Sequence, residues 1–334
     1  MKKTRMIQII ELILLAVIAI GLIAFLSRMS KNTLHKEENT NFDFSFNLGS
    51  SIGKMLKEEQ VNSTGIEKIR LDFDSADIEV TATDEKVIRV IESSNKPLKK
   101  HELFTLTNQN GILEIIKGER ITHIPFLNFG FQQHKIELFI PKSYRGDLDI
   151  VTSSGDISAL SELKLNNITT QQASGDLQID YPLEGRNFNS NLASGDVAIK
   201  HLECNKYTIG VASGDIDVDY LKGSGAIEAS SGDITIGTLS GEKYSIDASS
   251  GDINLQGVSG TGEVHANSGD ITVKLSENIS LEMDAKCISG DIEGDIDIEY
   301  KNKKGSEATA AVGEAPYAKL TINTNSGDIT VNKN

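Results

Sequence analysis

From residue 154 onward one tripeptide, Ser-Gly-Asp, returns nine times, and no other feature limits the fold so tightly. Its Gly-Asp pairs are Gly155-Asp156, Gly175-Asp176, Gly195-Asp196, Gly214-Asp215 and Gly232-Asp233, then Gly251-Asp252, Gly269-Asp270, Gly290-Asp291 and Gly327-Asp328. The glycines are separated by 20, 20, 19, 18, 19, 18, 21 and 37 residues, the last interval being close to two periods. A period near 19 residues marks a solenoid, because a unit of that size buries its apolar face only against a neighbour.

The columns around the glycine say which solenoid. Two residues after it stand Ile157, Leu177, Val197, Ile216, Ile234, Ile253, Ile271, Ile292 and Ile329, all aliphatic. Four after it the column is again mostly aliphatic, and five before it stand residues such as Ile150, Ile209, Ile246 and Ile322. Spacing by two is the inward face of a strand. The step from five before to two after is odd, so the parity of facing breaks at Gly-Asp, which must be a corner or bulge. Each unit reads as strand, Gly-Asp corner, strand and second turn, which stacks into a parallel β-solenoid with coils about 4.8 Å apart. Recurrent glycines and β-branched residues disfavour helix.

The predicted organisation has four parts. Residues 1–27 hold Met6–Leu26, apolar except for Gln8 and Glu11, as a transmembrane anchor. A helix of that length spans roughly 31 Å, the thickness of a hydrocarbon core. Lys2, Lys3 and Arg5 favour a cytoplasmic N-terminus, which places the remainder outside the cell membrane. Residues 28–64 read as a stalk with a short helix around Ser51–Glu59, and residues 65–145 as an irregular β-rich cap over the first coil. Residues 146–334 are the solenoid, with a loop or hairpin over Lys301–Ala315 and a free edge on the last coil as a docking surface.

A net charge of −15 excludes a nucleic-acid partner, since phosphate backbones demand a basic face. The sequence presents no catalytic motif, no cofactor-binding motif and no Cys/His cluster at metal-ligand spacing. The six histidines are scattered and read as surface or loop residues. Asp215, Asp217 and Asp219, like Asp295 and Asp297, alternate along strands and read as a solvated face. Cys204 and Cys287 are placed four coils apart, about 19 Å, too far for a disulfide.

The column of corner aspartates needs an account, because unit charges about 5 Å apart repel by roughly 0.8 kcal/mol in water. The favoured reading is a structural cap in which each carboxylate accepts backbone N–H bonds at its corner. The competing reading is weak Ca²⁺ binding along the column, although the nonapeptide spacing of calcium-binding β-rolls is missing.

The anchor, the stretch Ile140-Pro141-Lys142-Ser143-Tyr144, the serial Ser-Gly-Asp-Ile units and the closing Ala318–Ile329 segment together resemble a known family. It is the bacterial putative-adhesin repeat domain of unknown function, which includes LiaG-like membrane proteins, and the resemblance covers roughly residues 65–334. It implies an extracytoplasmic location and a link to the envelope-stress response, with no catalytic residues to carry over. The expected function is a non-enzymatic binding or scaffold protein whose partner is an envelope polymer or another surface protein. The rivals are a carbohydrate-active parallel β-helix enzyme and a structural protein that assembles end to end.

Overall fold

The computed structural model describes residues 54–119 and 133–333, so the predicted anchor Met6–Leu26 lies outside the described residues. The described chain is all-β: 25 strands join in one sheet, and the helical content is a single 3₁₀ turn at Lys100–Glu102. The sheet coils on itself as a parallel solenoid with two faces. The first face holds the strands that lead into the Ser-Gly-Asp corners, such as Asp147–Ser154, Asn167–Ser174 and Leu183–Leu192, paired in parallel register. The second face holds the strands that leave them, such as Ile157–Ala159, Leu177–Ile179 and Val197–Ile199.

The aliphatic columns are sealed inside, as their spacing predicts. All nine residues two after the corner glycine are at most 3% exposed. Each such side chain contributes roughly 1.5–3 kcal/mol relative to exposure. Where the column five before the glycine turns polar, the side chains pair with each other: Thr170 Oγ1 donates to Ser190 Oγ at 2.8 Å. At the corner itself two consecutive side chains face outward, as at Ser153-Ser154, which is where the parity breaks.

Chain order and spatial order part company at both ends. The coil Lys68–Thr83 pairs on one side with the coil that begins at Asp147 and on the other with Ile112–Ile116 and His134–Pro141. Antiparallel strands then close this end: Thr105–Gln109 on Ile112–Ile116, Val87–Ser94 on His134–Pro141, and Lys54–Asn62 on Val87–Ser94. The helix expected around Ser51–Glu59 is therefore replaced from Lys54 by a strand. Its Lys57, Glu59 and Val61 turn inward, and Lys57 Nζ donates to the Phe104 carbonyl at 2.6 Å while lying over the Phe104 ring.

At the other end the last coil in sequence is not the last in space. Ala318–Ser326 pairs with Ile253–Ser268 on one side and with Leu281–Ser289 on the other. Ile329–Lys333 sits likewise between Ile271–Leu275 and Ile292–Gly294. The outermost coil is thus the one at Gly290. The excursion predicted over Lys301–Ala315 is a hairpin whose strand Glu307–Val312 covers Leu281–Ser289 in antiparallel register. This corrects the expectation of a free docking edge on the final coil: both sides of that coil are already paired.

Candidate functional site

The Gly-Asp corner carries the most regular chemistry in the molecule. Each corner glycine has positive φ, from +112° to +147°, and stacks directly on its predecessor. A Cβ on Gly195 would come within 2.1 Å of the Gly175 carbonyl oxygen, so glycine is required by the close approach of coils as well as by the dihedral. In the coil Lys68–Thr83 the corner position is Ala76, and Gly155 rests on it.

The aspartates behind these glycines form a hydrogen-bonded ladder. The Asp156 N–H donates to Asp77 Oδ1 at 3.2 Å, Asp176 to Asp156 at 2.9 Å, and Asp196 to Asp176 at 2.8 Å. Asp215, Asp233, Asp252 and Asp270 continue it, each donating to the aspartate one coil earlier at 2.8 Å. Asp328 then donates to Asp270 and Asp291 to Asp328, so the ladder itself records the inserted final coil. The capping role read from sequence is present, with one change: the donor belongs to the next coil and not to the aspartate's own corner. Each bond to a charged acceptor contributes about 1.5–3 kcal/mol before solvent screening, enough to offset the repulsion between neighbours. One oxygen of each linked carboxylate is thereby committed to a backbone donor. Among the described residues no group of His, Cys, Asp and Glu has metal-ligand geometry.

The other candidates separate into surface and core. Asp217 and Asp219 are exposed on the second face, Asp219 beside Lys200 at 3.4 Å, and Asp295 Oδ1 accepts the Lys333 N–H. Of the histidines, His35 and His123 lie outside the described residues. His201 stacks on Tyr220 with ring centroids 4.2 Å apart. His134 departs from the surface reading. It is buried at the first end, where Nε2 lies 2.7 Å from Glu92 Oε1 and Nδ1 lies 2.8 Å from the Ser75 carbonyl. Glu92 Oε2 accepts the Phe104 N–H at 2.8 Å. Forty-two residues separate this pair, and no motif marks it.

Cys204 and Cys287 are both buried free thiols. They stand five coil steps apart rather than four, because the final coil intervenes. Burial pushes the Cys204 thiol up to about 12, far from a reactive thiolate. Near it Tyr207 and Tyr244 alternate with Gly225 and Gly262 down one interior column, ring beside glycine.

A groove of about 210 Å³ near the first end is lined by Ile140, Tyr144, Arg145, Glu162 and Lys164 among others. Its charges are already engaged: Lys164 reaches Glu162 at 3.1 Å and Glu184 at 2.9 Å, and Arg145 Nη1 donates to the Lys142 and Tyr144 carbonyls. Tyr144 donates to the Asp147 carbonyl, and burial, with Asp147 and Asp149 nearby, raises its pKa. That arrangement braces a turn and offers no acid–base pair.

Comparison with solved structures returns proteins at low identity. One is a putative lipid binding protein from Parabacteroides distasonis, 16% identical, covering 82% of this chain and 96% of its own, with a TM-score of 0.47. Another is a putative adhesin from Bacteroides fragilis, 13% identical, covering 84% and 97%, with a TM-score of 0.41. A third is a putative cell adhesion protein from Clostridium sporogenes, 12% identical, covering 84% and 100%, with a TM-score of 0.23. No curated protein matches the chain. The family model for Toastrack DUF4097 matches residues 66–259 and 226–332, nearly the whole of the described solenoid, and the chain belongs to that family.

Proposed function

We propose that this protein is a non-enzymatic, extracytoplasmic binding scaffold, held at the membrane by Met6–Leu26 and related in role to the LiaG-like proteins of the envelope-stress response. One observation supports the reading: the recurrent polar chemistry of the corners is taken up by the fold. Each linked aspartate commits one oxygen to a backbone N–H group and the glycines commit their freedom to coil contact, leaving long flat faces as the means of interaction. Antiparallel strands over the coil at the first end, and over Leu281–Ser289 at the other, weigh against end-to-end assembly, because they replace regular coil edges with capped ones.

The partner is an envelope polymer or another surface protein. The test has two arms. Protease added to intact protoplasts should digest the solenoid while the first residues stay with the membrane fraction. Purified chain should sediment with isolated envelopes, with or without calcium. A body protected from external protease, or sugar released from envelope polymers on incubation, would overturn the proposal.

A further inference from the structure

The outward side of the first face is not uniform. Over residues 167–174 and 187–194 of two adjacent coils, the outward positions carry neutral amides, hydroxyls and methyls in a molecule whose net charge is −15. Parallel register places Asn189 between Thr169 and Thr208, and Gln171 beside Asn191. Side chains on such a face repeat about every 4.8 Å between coils and about 6.6 Å along each strand. The result is a planar lattice of hydrogen-bonding groups.

Two internal bonds preorganise it. Asn191 Nδ2 donates to Asn189 Oδ1 at 3.0 Å, and Asn187 Nδ2 donates to Asn167 Oδ1 at 2.6 Å. Those bonds leave the carbonyl oxygens of Asn187 and Asn191 and the amino group of Asn189 for a ligand. Beside the amides runs a row of exposed methyls from Ala173, Ala193 and Ala212. Charge resumes on every side, with Asp147 and Asp149 on the preceding coil, Glu184, Arg186 and Lys206 at the turn away from the Gly-Asp corner, and Glu228 beyond.

From this window we infer that the first face between Asn167 and Ala212 binds an uncharged glycan, hydroxyl and acetamido groups pairing with the amides and the apolar sugar faces lying on the alanine row. The inference rests on the scaffold reading and names its ligand class. Charge selects the occupant: an anionic polymer would meet cations only at one edge, in Arg186 and Lys206, and none along the neutral window inside an acidic surface. A protein partner would need aromatic or arginine anchors, and the lattice is built of amides, hydroxyls and methyls instead.

The test uses full-length protein and two neutral probes, chitohexaose and maltohexaose, titrated calorimetrically. Wild type should bind at least one. The double variant Asn189→Asp/Asn191→Asp, and separately Thr208→Asp, should each weaken binding at least tenfold with unchanged far-ultraviolet circular dichroism. Asp217→Asn, on the opposite face, should leave binding unaltered. Binding of neither sugar by wild type, or wild-type affinity retained by either first-face variant, would overturn the inference. If wild type sediments with envelopes yet ignores both sugars, the glycan assignment falls and the scaffold reading stands. If it does neither, both fall.

Discussion

The backbone N–H of Asp215 donates to Oδ1 of Asp196 at 2.8 Å, joining residues 19 apart in sequence across a single coil step. The same bond recurs down the corner, so every linked aspartate is acceptor to one neighbour and donor to the other. An acceptor is what the position requires. Asp215→Asn, which keeps a carbonyl oxygen, should cost less than about 0.5 kcal/mol. Asp215→Ala strips the Asp233 N–H of its acceptor and should cost about 1–2 kcal/mol. Urea denaturation of the two variants checks the difference.

Because backbone donors already occupy one oxygen of each linked carboxylate, divalent ions have little to gain. Millimolar Ca²⁺ or a chelator should move the thermal midpoint by no more than about 1 °C, on a scale where 1 kcal/mol shifts a domain by a few degrees. A large calcium-dependent rise would restore the metal reading of the column.

Gly195 has φ of +126° and sits where a Cβ would reach 2.1 Å from the Gly175 carbonyl. Gly195→Ala should therefore cost more than about 2 kcal/mol, combining the dihedral penalty with a forced separation of coils. Gly305, also at positive φ but with only the Tyr300 ring near its missing Cβ, should cost less when changed to Ala. Equal losses in the two variants would mean that coil contact contributes nothing.

Glu92 and His134 are buried against each other, and removing Glu92 takes the acceptor from both His134 Nε2 and the Phe104 N–H. Glu92→Leu alone should cost about 3–5 kcal/mol, and Glu92→Leu/His134→Leu should recover part of that loss. Chemical denaturation of the single and double variants measures the recovery.

Stability should also fall in alkali. For a thiol or phenol the protonated form is neutral, and burial raises the folded pKa above the unfolded one. The stabilising contribution of Cys204 is then complete below about pH 9 and is lost as pH climbs toward about 12, and Tyr207 and Tyr244 act in the same direction. Neither phenol oxygen has a hydrogen-bond partner among the described residues. Tyr207→Phe and Tyr244→Phe should thus be nearly neutral at pH 7 and should flatten the alkaline loss, as denaturation midpoints between pH 7 and 11 would show.

The solenoid was legible because its signal is repeated: Ile157, Ile216 and Ile329 each occupy the same place relative to a glycine, and one period explains them all. The stacking order was not. The segment around Ile322 carries the same pattern as any other unit, so periodicity identifies it as a coil without naming its neighbours. Lys54–Asn62 hides for the opposite reason, since its charges and bulge blur the alternation that marks a strand. The ladder lay between these cases: the aspartates announce a need for donors, but local and cross-coil N–H groups satisfy it equally well on paper. The Glu92–His134 pair depends on tertiary contact alone.

The inserted final coil sets the order of the whole stack, and a crosslink can detect it. Asn325 Nδ2 donates to Asn267 Oδ1 at 2.8 Å, whereas stacking in chain order would set Asn267 beside Ile288. With Cys204 and Cys287 replaced by serine, Asn267→Cys/Asn325→Cys should oxidise rapidly to an intramolecular disulfide and Asn267→Cys/Ile288→Cys should not. The reverse pattern would show that the coils stack in the order of the chain.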